Sequence, residues 1–220
     1  KNVDWFKFST IELQDIKKTI NLSGKFMLER LVRVLNKSSD LVLLGILAGP
    51  TYVGIYSISR FLMNAAIGLI NKIIPAVTPG FGRLIGEKKY EKLLNARSKI
   101  ISLVWFSGSI FGALICLWNE SFIITWIGAK YFVGYFETFL IVILGIQVTL
   151  QEIDGSLINI SLNVREKIKI GIICLSFTIV LSIILIPLFD ILGLLVGLIF
   201  SKMIIGIKYS QILGKIINND

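Results

Sequence analysis

The sequence has no histidine, two cysteines and four prolines among 220 residues, and only 17% of it is charged. Cys116 and Cys174 each lie in an apolar run. Without histidine and with thiols so placed, nothing supports a soft-metal site, a thiol–histidine nucleophile or a disulfide framework. No metal and no cofactor is expected. The ten-residue alternation of an outer-membrane barrel is missing. So is a Walker-type glycine loop, which excludes an ATPase of that kind from this segment. The chain starts at Lys1 rather than Met, and it is expected to be part of a longer protein.

What is present in quantity is apolar. Hydrophobic residues make up 55% of the chain, and the mean hydropathy is +0.80. Several apolar runs approach the length that crosses a bilayer as a helix, so the sequence predicts an all-α, multi-pass membrane bundle. Six spans are expected, at about 26–48, 51–74, 100–118, 133–155, 168–187 and 191–211. Residues 25–215 then form the bundle, and residues 216–220 a polar tail. Residues 1–24 are either a solvated linker or a surface helix. In the second case Ser9 and Glu12 supply the helix start, and Trp5, Phe6 and Phe8 sit at the interface. Gly49-Pro50 and the segment 187–190 are tight turns, and Pro75 ends the second span.

The first span is the anomaly. Its apolar residues recover roughly 6 kcal/mol of insertion energy, against an upper bound of roughly 12–17 for Glu29, Arg30, Arg33, Lys37 and Asp40. Lys25, Glu29, Arg33, Asn36 and Asp40 recur every three or four residues and share one helical face. That stripe must face other helices or a wet cavity. Two readings stand. Arg30, Arg33 and Lys37 line a cavity and attract an anionic group, with Glu29 and Asp40 tuning the charge. Alternatively, Lys25–Glu29 and Glu29–Arg33 pair internally while the longer cations snorkel. On the second span, Arg60, Asn64 and Asn71 fall on roughly one face, and Arg60 needs a partner such as Asp40 or Glu29. Glu137, Gln151, Glu152 and Asp154 are expected to be solvated caps near the ends of the fourth span. Trp126, Tyr131, Phe132 and Tyr135 form an aromatic belt. Gly108/Gly112 and Gly193/Gly197 allow close helix approach.

The net charge of +9 has a topological explanation. Lys and Arg cluster in residues 1–18, 76–98 and 160–169 and at the end of the last span, whereas the opposite connections hold only Lys130. This places both ends of the chain and the basic loops in the cytoplasm. No nucleic-acid partner is expected.

Four stretches resemble a known family. They are SSDLVLLGILAGPTYVGIYSISRFL at 38–62, IIPAVTPGFGRLIGEKKYEKL at 73–93, FIITWIGAKYFVGYFETFLIVILG at 122–145 and the helix pair at 157–201 with its IPLFDILG turn. In order and spacing they are similar to the polysaccharide-exporting branch of the multidrug/oligosaccharidyl-lipid/polysaccharide flippase superfamily. One departure is Asp190, where that family usually has glycine. The resemblance implies one six-helix lobe, most like the second, of a two-lobe transporter working by alternating access. It implies a lipid-linked oligosaccharide substrate carried on undecaprenyl diphosphate, with no covalent chemistry. The implied partners are membrane lipids, the second lobe of the same protein and the polysaccharide polymerase machinery. The implied place is the cytoplasmic membrane. The rivals are a drug/cation antiporter or peptidoglycan-precursor flippase of the same superfamily, and a membrane-bound polymerase or glycosyltransferase. The candidate cavity residues are Glu29, Arg30, Arg33, Lys37, Asp40, Arg60 and Asn64. For orientation, a reporter fused at Asn119 is expected on the outer side; a cytoplasmic signal there overturns the topology.

Overall fold

The computed structural model describes residues 13–218, and all regular structure among them is helical. Trp5, Phe6, Phe8, Ser9 and Glu12 of the expected linker lie outside the described residues, as do the last two residues of the tail. The elements are α1 (Leu13–Leu47), α2 (Pro50–Ser59), α3 (Phe61–Ile70), α4 (Ile73–Gly86), α5 (Tyr90–Trp126), α6 (Tyr135–Ile160) and α7 (Val164–Asn218). A short 3-10 turn at Ala129–Tyr131 links α5 to α6. Non-helical torsions at Asp190 divide α7 into two arms.

Among the described residues, four stretches are long and apolar enough to cross a membrane: Phe61–Gly86, Tyr90–Trp126, Tyr135–Ile160 and Val164–Ile216, the last holding both arms of α7. Helix α1 is absent from that group because of its charges. Large apolar side chains such as Ile46, Phe106 and Leu117 lie on the outside of the bundle. In water this would be an aggregation surface. Against acyl chains it is the ordinary exterior of a multi-pass membrane protein.

Several helix ends fall outside the expected spans, each for a local reason. Residues 13–24 continue α1 instead of forming a separate segment, because they contain no proline and a helix does not stop where its polarity changes. Pro75 does not end the second span. It sits in the first turn of α4, where its missing N–H has no intrahelical acceptor to lose. The basic stretch after it is a helical hairpin, not an open loop. The chain reverses at Lys88, whose φ of 54° allows Lys88 N–H to reach Ile85 O (3.0 Å) and Lys89 N–H to reach Leu84 O (2.9 Å). That is the closing pattern usually given to glycine. Arg83 and Lys89 both donate to Glu87 at this turn and hold its carboxyl below the usual range.

The bundle is held by α7, which packs along both α1 and α6, and by the pairing of α5 with α6. Gly108 and Gly112 on α5 face Ile146 and Val142 of α6, so closely that a Cβ on Gly112 would lie 2.5 Å from Val142 Cγ1. One apolar cluster gathers Leu44, Tyr56, Met63, Ile115, Ile141, Ile186 and Leu194. Another gathers Phe81, Leu93, Leu157, Cys174, Ile205, Tyr209 and Leu213. A polar cavity lies between them.

The turn within α7 carries local strain. Asp190 adopts φ 47°, ψ −124°, in territory where glycine has no steric penalty. Its carboxylate accepts a 3.2 Å hydrogen bond from the Tyr52 hydroxyl at the exposed edge. Beyond the turn, a Cβ on Gly193 would collide with the Leu185 backbone carbonyl. Asp190→Gly is therefore expected to raise stability by about 1 kcal/mol, read as a higher melting temperature in detergent. Gly193→Ala is expected to lower folded yield, because backbone rather than a side chain has to move. An unchanged melt for both would contradict this account of the turn.

Candidate functional site: a charged cavity inside the bundle

The cavity has a volume of about 500 Å³ and is walled by α1, α2, α3, α6 and both arms of α7. Six of the seven predicted residues line it: Glu29, Arg33, Lys37, Asp40, Arg60 and Asn64. Arg30 does not. It is exposed on α1 and does not reach the cavity wall. The stripe does face inward, because its apolar alternates Val32 and Leu44 lock α1 into the core. Val32 meets Gly171 of α7, and Asn36 donates to the Gly171 carbonyl at 2.9 Å.

The buried carboxylates in the wall have cations as partners. Arg60 contacts Asp40, as the sequence suggested, and the Tyr56 hydroxyl donates to the same carboxylate at 3.2 Å. The Arg60 guanidinium also lies over the Tyr56 ring, 4.7 Å from its centroid. Asp40 further accepts from the Leu41 backbone N–H at 2.8 Å. A buried carboxylate with this many partners is held in one position.

Glu29 is paired differently from expectation. Arg33, one turn along α1, approaches it only to 3.7 Å and is half exposed. No ion pair joins Glu29 to Lys25 among the described residues. The close partner is Lys167 of α7, at 2.8 Å, with both side chains over nine-tenths buried. The Lys167 ammonium also donates to Gly155 O (3.2 Å) and Asn159 Oδ1 (3.0 Å), both on α6. The Glu29 oxygen receives no aligned hydrogen bond, so proximity to Lys167 balances its charge. This pin ties α1, α6 and α7 together.

Asp154 was expected to be a solvated cap and is not. It is 8% exposed and makes a two-pronged contact with Arg97 of α5, with both N···O distances 2.7 Å. Gln151 donates to the Lys202 carbonyl of α7 at 2.6 Å, and Glu152 lines the cavity. Both carboxylates looked peripheral because they lie in the last turns of a span. Helix α5 begins well before the apolar run that marks it, at Tyr90, and so brings Arg97 alongside Asp154.

The positive groups left over are Arg33, Lys37 and Lys202. Among the described residues Lys37 makes no hydrogen bond or ion pair, and Lys202 reaches only the Asn36 carbonyl at 3.5 Å. Glu152 is the carboxylate in the cavity without an ion pair. Reading the sequence missed Lys167 and Lys202. Each was visible as a cation at or inside an apolar run, but Lys167 had been counted with the basic loop. A polar staple also holds the break between α2 and α3. Ser59 donates to Tyr131 O (3.1 Å) and accepts from Val133 N–H (3.1 Å), while Asn119 donates to Ser59 O (3.0 Å). It fixes the chain one residue before Arg60.

Residues 1–85 match the model of a family described as polysaccharide biosynthesis protein. No curated protein and no solved structure gives a match. The resemblance to a polysaccharide-biosynthesis flippase family is thus borne out over the stretch that carries α1, α2, α3 and most of α4. It suggests a role in flipping or export. All seven predicted cavity residues lie within the matched stretch, whereas Lys167 and Lys202 lie beyond it.

Removing one member of a buried pair leaves the other uncompensated, at a cost of about 3–5 kcal/mol. Lys167→Met is therefore expected to lower the melting temperature and membrane abundance sharply. Adding Glu29→Leu should recover part of the loss. A double variant no better than Lys167→Met alone would contradict direct coupling of the two charges.

Proposed function

We propose that this chain is one six-span lobe, most like the second, of a flippase that carries lipid-linked oligosaccharide across the cytoplasmic membrane by alternating access. In this reading the substrate carrier is undecaprenyl diphosphate. The cavity takes the polar headgroup while the lipid tail stays in the bilayer. A second lobe of the same protein completes the chamber, both ends of this segment are cytoplasmic, and the product passes to polysaccharide polymerase machinery.

One observation carries the proposal. After internal pairing, the cavity wall retains Arg33, Lys37 and Lys202 against Glu152, a positive surplus. Such a wall favours a phosphate-bearing headgroup over a cation. The family match over residues 1–85 supports the same direction. The antiporter alternative would use a membrane carboxylate free to bind and release a cation. Glu29 and Asp40, the two candidates for that role, are both engaged by cations of the protein.

The test separates binding from folding. Arg33→Ala, Lys37→Ala and Lys202→Ala, made singly in the full-length protein, are expected to reduce surface polysaccharide at normal membrane protein level. Losing one charge-assisted bond of about 1.5–3 kcal/mol corresponds to roughly a 10- to 150-fold weaker contact. Arg60→Ala is expected to reduce the protein itself, because it orphans Asp40. Unchanged polymer in all three cavity variants would sink the proposal.

A further inference from the structure

We infer that the basic end of the bundle carries a second binding site, separate from the central cavity, which takes an anionic phospholipid. A cavity of about 260 Å³ opens there, where the end of α4 and the start of α5 meet the ends of α6 and α7. It shares no lining residue with the central cavity. Its wall is apolar, built on Leu93, Leu157 and Leu213. Arg97, Ser161 and Ser210 supply its polar groups. Arg97 gives Nε and Nη2 to Asp154. Its remaining nitrogen, Nη1, has no partner among the described residues.

Three features narrow the occupant. The volume falls below the about 300–1,000 Å³ of a site that encloses a whole drug-sized molecule, so it admits one apolar segment with its polar end outside. The site lies on a chain with four membrane-crossing stretches, where acyl chains are the abundant apolar ligand. The exposed cations at this end of the bundle outnumber its carboxylates, although Glu87 and Glu166 lie within electrostatic range of Lys92 and Lys215. Lys92 and Lys215, each adjacent in sequence to a wall residue, are exposed, as are Lys88 and Lys208, and none of the four is in a salt bridge among the described residues. Basic pockets between helix ends at a membrane surface attract acidic headgroups for this reason. An acyl segment against the leucines and a phosphate among the lysines satisfies both halves of the site.

The structure offers a way to fill the site without disturbing the fold. Gly214 lines it, and a Cβ added there meets nothing within 4 Å. The experiment measures thermal unfolding of the purified chain in detergent during titration with phosphatidylglycerol, phosphatidylcholine or inorganic phosphate. Phosphatidylglycerol is expected to raise the melting temperature saturably, and phosphatidylcholine and inorganic phosphate to leave it unchanged. Gly214→Leu, and separately the surface pair Lys92→Gln/Lys215→Gln, should each weaken the phosphatidylglycerol effect at least tenfold in midpoint concentration. Equal shifts with both lipids overturn the proposal. So does a shift with phosphate alone, or a midpoint within twofold of the unaltered chain in whichever of the two variants folds. The readout is lipid binding, so its failure leaves the flippase proposal standing, and failed transport leaves the lipid site standing.

Discussion

A charge inside a bundle of apolar helices must have a partner, because a lone ion away from water costs several kcal/mol even after the protein relaxes. The arrangement of this chain follows from that constraint. Glu29 meets Lys167, Asp40 meets Arg60, and Asp154 meets Arg97. Each pair joins helices that are distant in sequence or run in opposite directions. Helix α1, which carries two of these carboxylates, is too charged to enter a membrane alone. It becomes stable there only when the α2–α3 break and α7 deliver the matching cations, Arg60 and Lys167. The charges that count against insertion of one helix thus serve as registration marks for the assembly.

Pairing also defines what the cavity can do. Once Glu29 and Asp40 are paired within the wall, the groups that remain are Glu152 and three cations on two facing helices, α1 and the second arm of α7. Their placement depends on features with no charge of their own. Gly171 lets Val32 and Asn36 of α1 approach α7. The Ser59–Asn119 staple holds the break before Arg60, so that its guanidinium turns toward Asp40 instead of continuing along a regular helix. The site is therefore as much a product of close backbone approach as of the ions themselves.

The two cavities divide the polar chemistry of the bundle by depth. The central one lies between the two apolar clusters and is walled by inter-helix pairs. The other lies at the basic end, where α5 outruns its apolar stretch and carries Lys92 and Arg97 beside the ends of α6 and α7. Long helices that overshoot the bilayer make this second region possible. A chain with short connecting loops in place of the Lys88 reversal would have no wall there.

The sequence by itself determined the helical class, the membrane setting and the inward face of α1, because hydropathy and three-to-four periodicity are local quantities. It also narrowed the partner of Arg60 to Asp40 or Glu29, since a mid-span cation needs a carboxylate on the adjoining span, and the structure chose Asp40. Only the tertiary structure decided which cation meets Glu29. Lys25, Arg33 and Lys167 were all available, and Lys167 was chosen by the packing of α7 against α1 and α6, 138 positions away along the chain from its partner. The same holds for Asp154, which polarity placed in water and Arg97 placed in the core. Periodicity says which residues share a face. What that face meets is settled by contacts between helices, and no local pattern records them.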